Sequence, residues 1–182
     1  MKKYLFILFF ILLANEVSAS VKRNIIYNLT NIENIFFKFE QNINGKTENG
    51  ECVIKYPKKI FCKYNLKNKK ILVSNGKSLV IKSLSSYYLY PLDKTPLDLI
   101  LDKNFLINAI NNSDERIIED KFINYSFSEK DNEINIFFDK NTYELIGWQT
   151  LDIYQNLSIT FISSIVKNQK LKKNLFKIPK QN

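Results

Sequence analysis

The sequence predicts a mainly β, α+β domain: a meandering antiparallel sheet with few helices. Three observations predict it. Apolar residues recur at every second position through most of the chain, the period of a half-buried strand. Short turn signals separate these runs, Asn75-Gly76 foremost, and they suit hairpins rather than long crossovers. Helical spacing occurs in two places only, near the N-terminus and after Pro96.

Residues 1–19, MKKYLFILFFILLANEVSA, have two lysines, an apolar run from Tyr4 to Ala14, and small or apolar residues at Val17-Ser18-Ala19. That tripartite pattern predicts a cleaved export signal and an exported chain. The apolar run is shorter than the roughly 20 residues of a bilayer span. No cysteine stands at the cleavage point to be acylated. Residues 20–182 are then expected to form a single domain, since no repeat, charge run or Gly/Ser/Pro linker divides them.

From Val21 to Phe36, apolar residues at 25, 29, 32 and 36 predict an amphipathic helix. Phe37, Phe39, Gln41 and Ile43 then share one strand face, and Asn44-Gly45 begins a turn. Strands are predicted at 50–56, 59–65, 69–74, 78–84 and 86–91. Thr95 can cap a helix and Pro96 fits its first position, so LDLIL and NFLINAI read as short helices. Strands resume at 115–119, 121–129, 132–139, 144–152, 156–166 and 174–178. Fourteen phenylalanines, ten tyrosines and one tryptophan supply aromatic mass at alternating positions. They fill an ordinary β core or line the concave side of a curved sheet that admits a ligand.

The formal charge of +9 falls to +8 once Lys2, Lys3 and Glu16 leave with the leader. Lysine, isoleucine and asparagine make up 73 of the 182 residues against two arginines, a skew expected of AT-rich coding. The lysines are dispersed and do not alternate with aromatics as in a base-stacking strip, so a nucleic-acid partner is not expected.

The chain has no histidine, which removes imidazole triads and most zinc sites. It has no CxxC pair, glycine-rich phosphate loop or acidic calcium loop. Asp114-Glu115, Glu119-Asp120 and Glu129/Asp131 lie in polar, turn-like contexts, where nothing would raise one carboxyl pKa. The residues point to a binder rather than an enzyme, with no cofactor and no metal.

Cys52, Ile54 and Tyr56 alternate on one predicted strand, as do Ile60, Cys62 and Tyr64 on the next. A turn at Pro57 would place both sulfurs on one face. A disulfide, a buried apolar pair and a reactive thiol pair all fit that placement.

Read in order, FEQ (39–41), GECVIKYPKKIFCKY (50–64), ILVSNGKSL (71–79), TPLDLIL (95–101), LIGWQTLD (145–152), NLSITF and NLFKIP resemble the periplasmic outer-membrane lipoprotein carrier family. The resemblance implies an incomplete, strongly curved antiparallel β-barrel, with an N-terminal helix and short lid helices over an apolar cavity. It implies a monomeric periplasmic chaperone for triacylated lipoproteins, loaded by an inner-membrane ATP-dependent release complex and unloaded to an outer-membrane lipoprotein receptor. The alternative is a domain of the same fold that binds or senses another amphiphile or acts in envelope assembly.

On that resemblance Phe39, Cys52, Ile54, Tyr56, Ile60, Cys62, Tyr64 and Trp148 line the lipid cavity, and Leu29, Ile32, Leu97, Ile100 and Leu101 form the lid. Family members commonly carry a lid-holding arginine immediately before the proline of the second stretch. This chain has Tyr56 there, so a weaker or differently built latch is expected. Lys58 reads as turn and surface, and Asp152, which matches an acidic residue of the family, as a turn or hydrogen-bonding residue.

Overall fold

The computed structural model describes residues 20–129, 132–152 and 155–181. The expected leader and Asp131 lie outside them. Residues 20–30 form helix α1. Eleven strands follow: β1 (Asn34–Ile43), β2 (Lys46–Lys55), β3 (Lys59–Tyr64), β4 (Ile71–Asn75), β5 (Ser78–Lys82), β6 (Tyr87–Pro91), β7 (Glu115–Ile118), β8 (Phe122–Glu129), β9 (Asn132–Asp139), β10 (Leu145–Leu151) and β11 (Leu157–Lys167). Between β6 and β7 lie a 3-10 turn (Leu92–Lys94) and helices α2 (Leu97–Ile100) and α3 (Lys103–Asn111).

All eleven strands belong to one sheet, in the order β6-β5-β4-β3-β2-β1-β11-β10-β9-β8-β7. Every described pairing is antiparallel. Two meanders therefore meet at the β1–β11 seam. The sheet curves into an open barrel, and its free edges, β6 and β7, are joined through the helical segment 92–111.

Local chemistry sets the hairpins. Asn44 and Gly45 both have positive φ (48° and 82°), which turns β1 into β2 with Ile43 opposite Lys46. This tight turn starts β2 at Lys46, ahead of the expected position 50. At the β4–β5 turn the Asn75 side chain accepts from the backbone N–H of both Lys77 and Ser78, each at 2.9 Å.

Three expectations need correction. The first helix ends at residue 30 rather than 36. Thr30 and Asn31 bond back to the carbonyls of Ile26 and Tyr27, the local competition that ends helices, and Ile35, Phe37 and Phe39 are buried at period two. Thr95 does not cap α2; its hydroxyl donates to the Leu92 carbonyl at 2.8 Å. The predicted strand at 174–178 is absent, and 173–176 form a turn. Both flanks of β11 are already taken by β1 and β10, so the chain beyond Lys167 has no adjacent edge to pair with.

The inner face of the barrel is the main core. Ile25, Leu29 and Ile32, spaced as one helical stripe, and Leu101, Leu106 and Ile110 from the lid pack against Ile35, Phe37, Ile54, Ile60, Ile136 and Phe138. Fully burying one such side chain is worth about 1.5–3 kcal/mol. A second apolar row, Val53–Phe61–Val73–Val80, crosses the outer face in register. Its valines are buried as well, because the C-terminal segment crosses this face and is tied down by Lys82 Nζ donating to the Lys180 carbonyl (2.8 Å) and Tyr87 OH to that of Pro179 (3.2 Å).

Candidate functional site

A cavity of about 410 Å³ opens on the inner face at the β4–β6 side of the barrel. Alternation along β4, β5 and β6 puts Leu72, Leu79, Ile81, Tyr88 and Tyr90 on one wall, and Trp148 and Leu151 of β10 stand on another. Thr95, Pro96 and Leu97 of the helical segment line its cover. The lining is mainly apolar, with polar groups gathered at one end. There Gln41 Nε2 donates to Ser158 Oγ (3.0 Å) and Thr160 Oγ1 (3.2 Å), and Tyr64 OH donates to Gln41 Oε1 (3.4 Å). Lys70 pairs with Glu48 at 2.5 Å and lies 4.1 Å above the Tyr64 ring centroid. Burial, with the Glu48 charge adding to it, holds the Tyr64 hydroxyl far above the ordinary tyrosine range.

Of the eight residues expected to line the cavity, the open volume reaches Tyr64 and Trp148. Phe39, Cys52, Ile54, Tyr56, Ile60 and Cys62 share the inner face but are enclosed in the packed core beside it. The lid and α1 press on that part of the sheet, whereas β4–β6 are less covered. Phe39 lies across Gly50, where a Cβ would sit 2.8 Å from Phe39 Cε1 and 2.2 Å from the Lys63 carbonyl oxygen, and its ring meets Tyr64 edge-on at 4.9 Å. Trp148 meets Phe37 edge-on at 6.3 Å. Of the lid set, Leu97 lines the cavity, while Leu29, Ile32, Ile100 and Leu101 are buried in the core. Asp152 is a turn residue that also borders the cavity, its Oδ1 accepting from Asn156 N at 2.9 Å.

Cys52 and Cys62 are joined by a disulfide. They stand directly opposite on β2 and β3, with Cα atoms 4.1 Å apart. This is nearer the ~4.5 Å of a non-hydrogen-bonded antiparallel pair than the ~5.5 Å of a hydrogen-bonded one. The bond sits on the inner face, where Cys52 and Cys62 are each 4% exposed.

The lid is held by groups that sequence reasoning did not assign. Lys58, expected as surface, has its ammonium 2.8 Å from Asp98 Oδ1 and 3.6 Å from Asp102 Oδ2, while its backbone N–H donates to the Leu101 carbonyl at 2.8 Å. The hydrogen bond to Asp98 is the main reason the Lys58 pKa lies above the ordinary lysine value, with the charges of both aspartates contributing. Lys103 of α3 donates to the carbonyls of Thr30 (3.0 Å) and Ile32 (2.9 Å), satisfying the C-terminal end of α1. The same ammonium lies 5.9 Å over the Tyr56 ring. Tyr56 is buried, which raises its hydroxyl pKa well beyond the ordinary range, and its N–H donates to the Glu33 carbonyl at 2.9 Å. The position before the proline thus supplies an aromatic floor, and the cation comes from the lid side.

Among the described residues no cluster of His, Cys, Asp or Glu could hold a metal, and no helix is long and apolar enough to cross a membrane.

None of the curated proteins matches this chain in sequence. Solved structures similar to it include LprF from Mycobacterium bovis, at TM-score 0.48 and 10% identity, covering 87% of this chain and 97% of that one. A LolA superfamily protein from Nitrosomonas europaea has TM-score 0.45 and 8% identity, covering 88% and 97%. An uncharacterized conserved protein from Thermus thermophilus has TM-score 0.49 and 8% identity, covering 93% and 95%. The family model described as outer membrane lipoprotein carrier protein LolA matches residues 30–179, from the end of α1 to the C-terminal segment that crosses the outer face, and the chain therefore belongs to the LolA family.

Proposed function

We propose that this protein is a periplasmic carrier that shields the acyl chains of lipoproteins released from the inner membrane and delivers them to an outer-membrane receptor. The observation that carries this reading is the apolar cavity of about 410 Å³ beneath a segment held by a few polar ties, in a chain of the LolA family. Each buried methylene is worth about 0.8 kcal/mol, so an acylated protein needs comparable apolar surface to cross water. The Lys58 and Lys103 ties are separate from the apolar walls, so a partner could release the lid without remaking the binding surface. An ATP-dependent release complex would load the carrier as a monomer, and the carrier would perform no covalent chemistry.

The polar end of the cavity favours a second reading, in which the occupant is another amphiphile with one polar head placed near Gln41 and Lys70. Both readings are tested by expressing the protein with its leader, recovering it from periplasm and identifying what co-purifies by mass spectrometry. Bound triacylated protein supports the carrier. Free phospholipid alone supports the second reading, and an empty protein that also fails to take up either ligand in vitro overturns both.

A further inference from the structure

On the face opposite the acyl cavity, a hollow of about 450 Å³ lies between the sheet and the C-terminal segment. Lys55, Lys59, Lys172, Lys173 and Lys177 all line it, and no carboxylate does. None of the five is ion-paired among the described residues, whereas Lys58, Lys70, Lys140 and Lys167 each have a carboxylate partner. Lys55 and Lys59 stand directly opposite each other on β2 and β3, a like-charge cross-strand pairing that is unfavourable when left alone. Asn75 continues the same row on β4.

The other wall is built in place. Asn168 Oδ1 accepts from Glu33 N (2.8 Å), and Asn34 Oδ1 from Gln169 N (3.1 Å), which fixes the start of the segment. The bonds from Lys82 and Tyr87 to the carbonyls of Lys180 and Pro179 fix its end. Between these ties, Leu175 N bonds to the Lys172 carbonyl and Lys177 N to that of Asn174. The folded segment brings three ammonium groups over the Lys55–Lys59 row, so the charges are brought together by anchored backbone and not by side-chain chance.

We infer that this hollow is an anion site for a phosphoryl group. Five ammonium groups offer compact charge and freely rotating donors, which suit a tetrahedral multi-oxygen anion. The planar guanidinium forks that select a carboxylate bidentately are absent from the lining. Such an anion would relieve the repulsion of the Lys55–Lys59 pair and pin the C-terminal segment over the outer valine row. The site is independent of the acyl cavity and of the carrier reading.

The phosphoryl group comes from a free anion or from a phospholipid headgroup, and two probes separate these sources. Inorganic pyrophosphate is titrated against the protein in low-salt buffer by calorimetry. Vesicles of phosphatidylcholine with and without phosphatidylglycerol are tested by co-flotation. The Lys59→Gln/Lys172→Gln/Lys177→Gln triple variant is compared with an equal loss of charge at the exposed Lys38, Lys46 and Lys121, and circular dichroism checks the fold of both. Saturable pyrophosphate binding that weakens about tenfold or more in the site variant and stays within about twofold in the control identifies a free-anion site. Phosphatidylglycerol-dependent flotation lost only in the site variant identifies a headgroup site. Binding of neither probe, or equal loss in both variants, overturns the inference.

Discussion

The Lys58 ammonium reaches Asp98 Oδ1 at 2.8 Å, tying the β2–β3 turn to the first helix of the lid. Asp98 is 6% exposed, so removing its partner leaves a buried carboxylate without compensation. The Lys58→Met variant is expected to lose about 1–2 kcal/mol, scaled down because the lysine is partly solvated. A double-mutant cycle with Asp98→Asn should recover part of that loss. Additive losses, with unchanged amide protection across 97–111, would show that the pair does not hold the lid.

The same pair sets an alkaline limit. The hydrogen bond to Asp98 raises the folded-state pKa of Lys58 above 10.5, so its contribution is complete below that value and is lost as pH rises through the higher folded value. Stability followed from neutral to strongly alkaline pH should fall in both proteins, because the buried Tyr56 and Tyr64 hydroxyls also hold raised pKa values. The fall should be smaller in Lys58→Met, which lacks the lysine contribution. Acidification to neutral pH should leave this contribution intact.

Lys103 and Tyr56 form the second tie. Lys103→Met removes the donor to the Thr30 and Ile32 carbonyls, and Tyr56→Ala removes the floor beneath it. Either change should raise hydrogen exchange at the end of α1 and in α3 and speed amphiphile release several-fold. Unaltered exchange together with unaltered release would rule out a latch at this position.

Reduction of the Cys52–Cys62 bond should cost about 2–3 kcal/mol, the closure entropy of a loop with a sequence separation of 10. The ladder between β2 and β3 should keep its register. A denaturant midpoint shifted by reductant, with an unchanged affinity for acyl ligands, is the expected outcome. A large change in affinity would instead give the disulfide a part in shaping the cavity.

Trp148 is the chain's sole tryptophan and borders the cavity. Its emission should therefore shift to the blue as an acyl ligand displaces water. Leu79→Phe places a ring in the same space and should weaken binding about tenfold or more while costing little stability, because the added volume enters an opening. Equal affinity in Leu79→Phe would move the ligand elsewhere.

The sheet was legible because alternation and turn residues are local signals: Asn44-Gly45 and Asn75-Gly76 mark their hairpins directly. The end of α1 was not, since Ile32 continues the helical stripe while Ile35, Phe37 and Phe39 already follow the strand period, and tertiary burial decides between them. The cavity wall shows the same limit. Alternation identifies Leu72, Leu79 and Ile81 as inward residues just as it does Ile54 and Ile60, but only the placement of the helices determines which inward residues meet open space. Lys58 and Lys103 were missed because each partners a group distant in sequence, and a lysine in a turn carries no mark of the aspartate it will meet. The tail at 174–178 has the apolar spacing of a strand, and only the occupied flanks of β11 deny it a ladder.

The free edges β6 and β7 are connected through the helical segment 92–111, whose Thr95, Pro96 and Leu97 roof the cavity. The roof therefore works like a drawstring across the mouth of a bag. Spreading the two rims would draw the strap taut and strain the Lys58 and Lys103 ties that hold it down. Entry width and roof position are therefore expected to change together, which paired distance labels on β6 and β7 would read out.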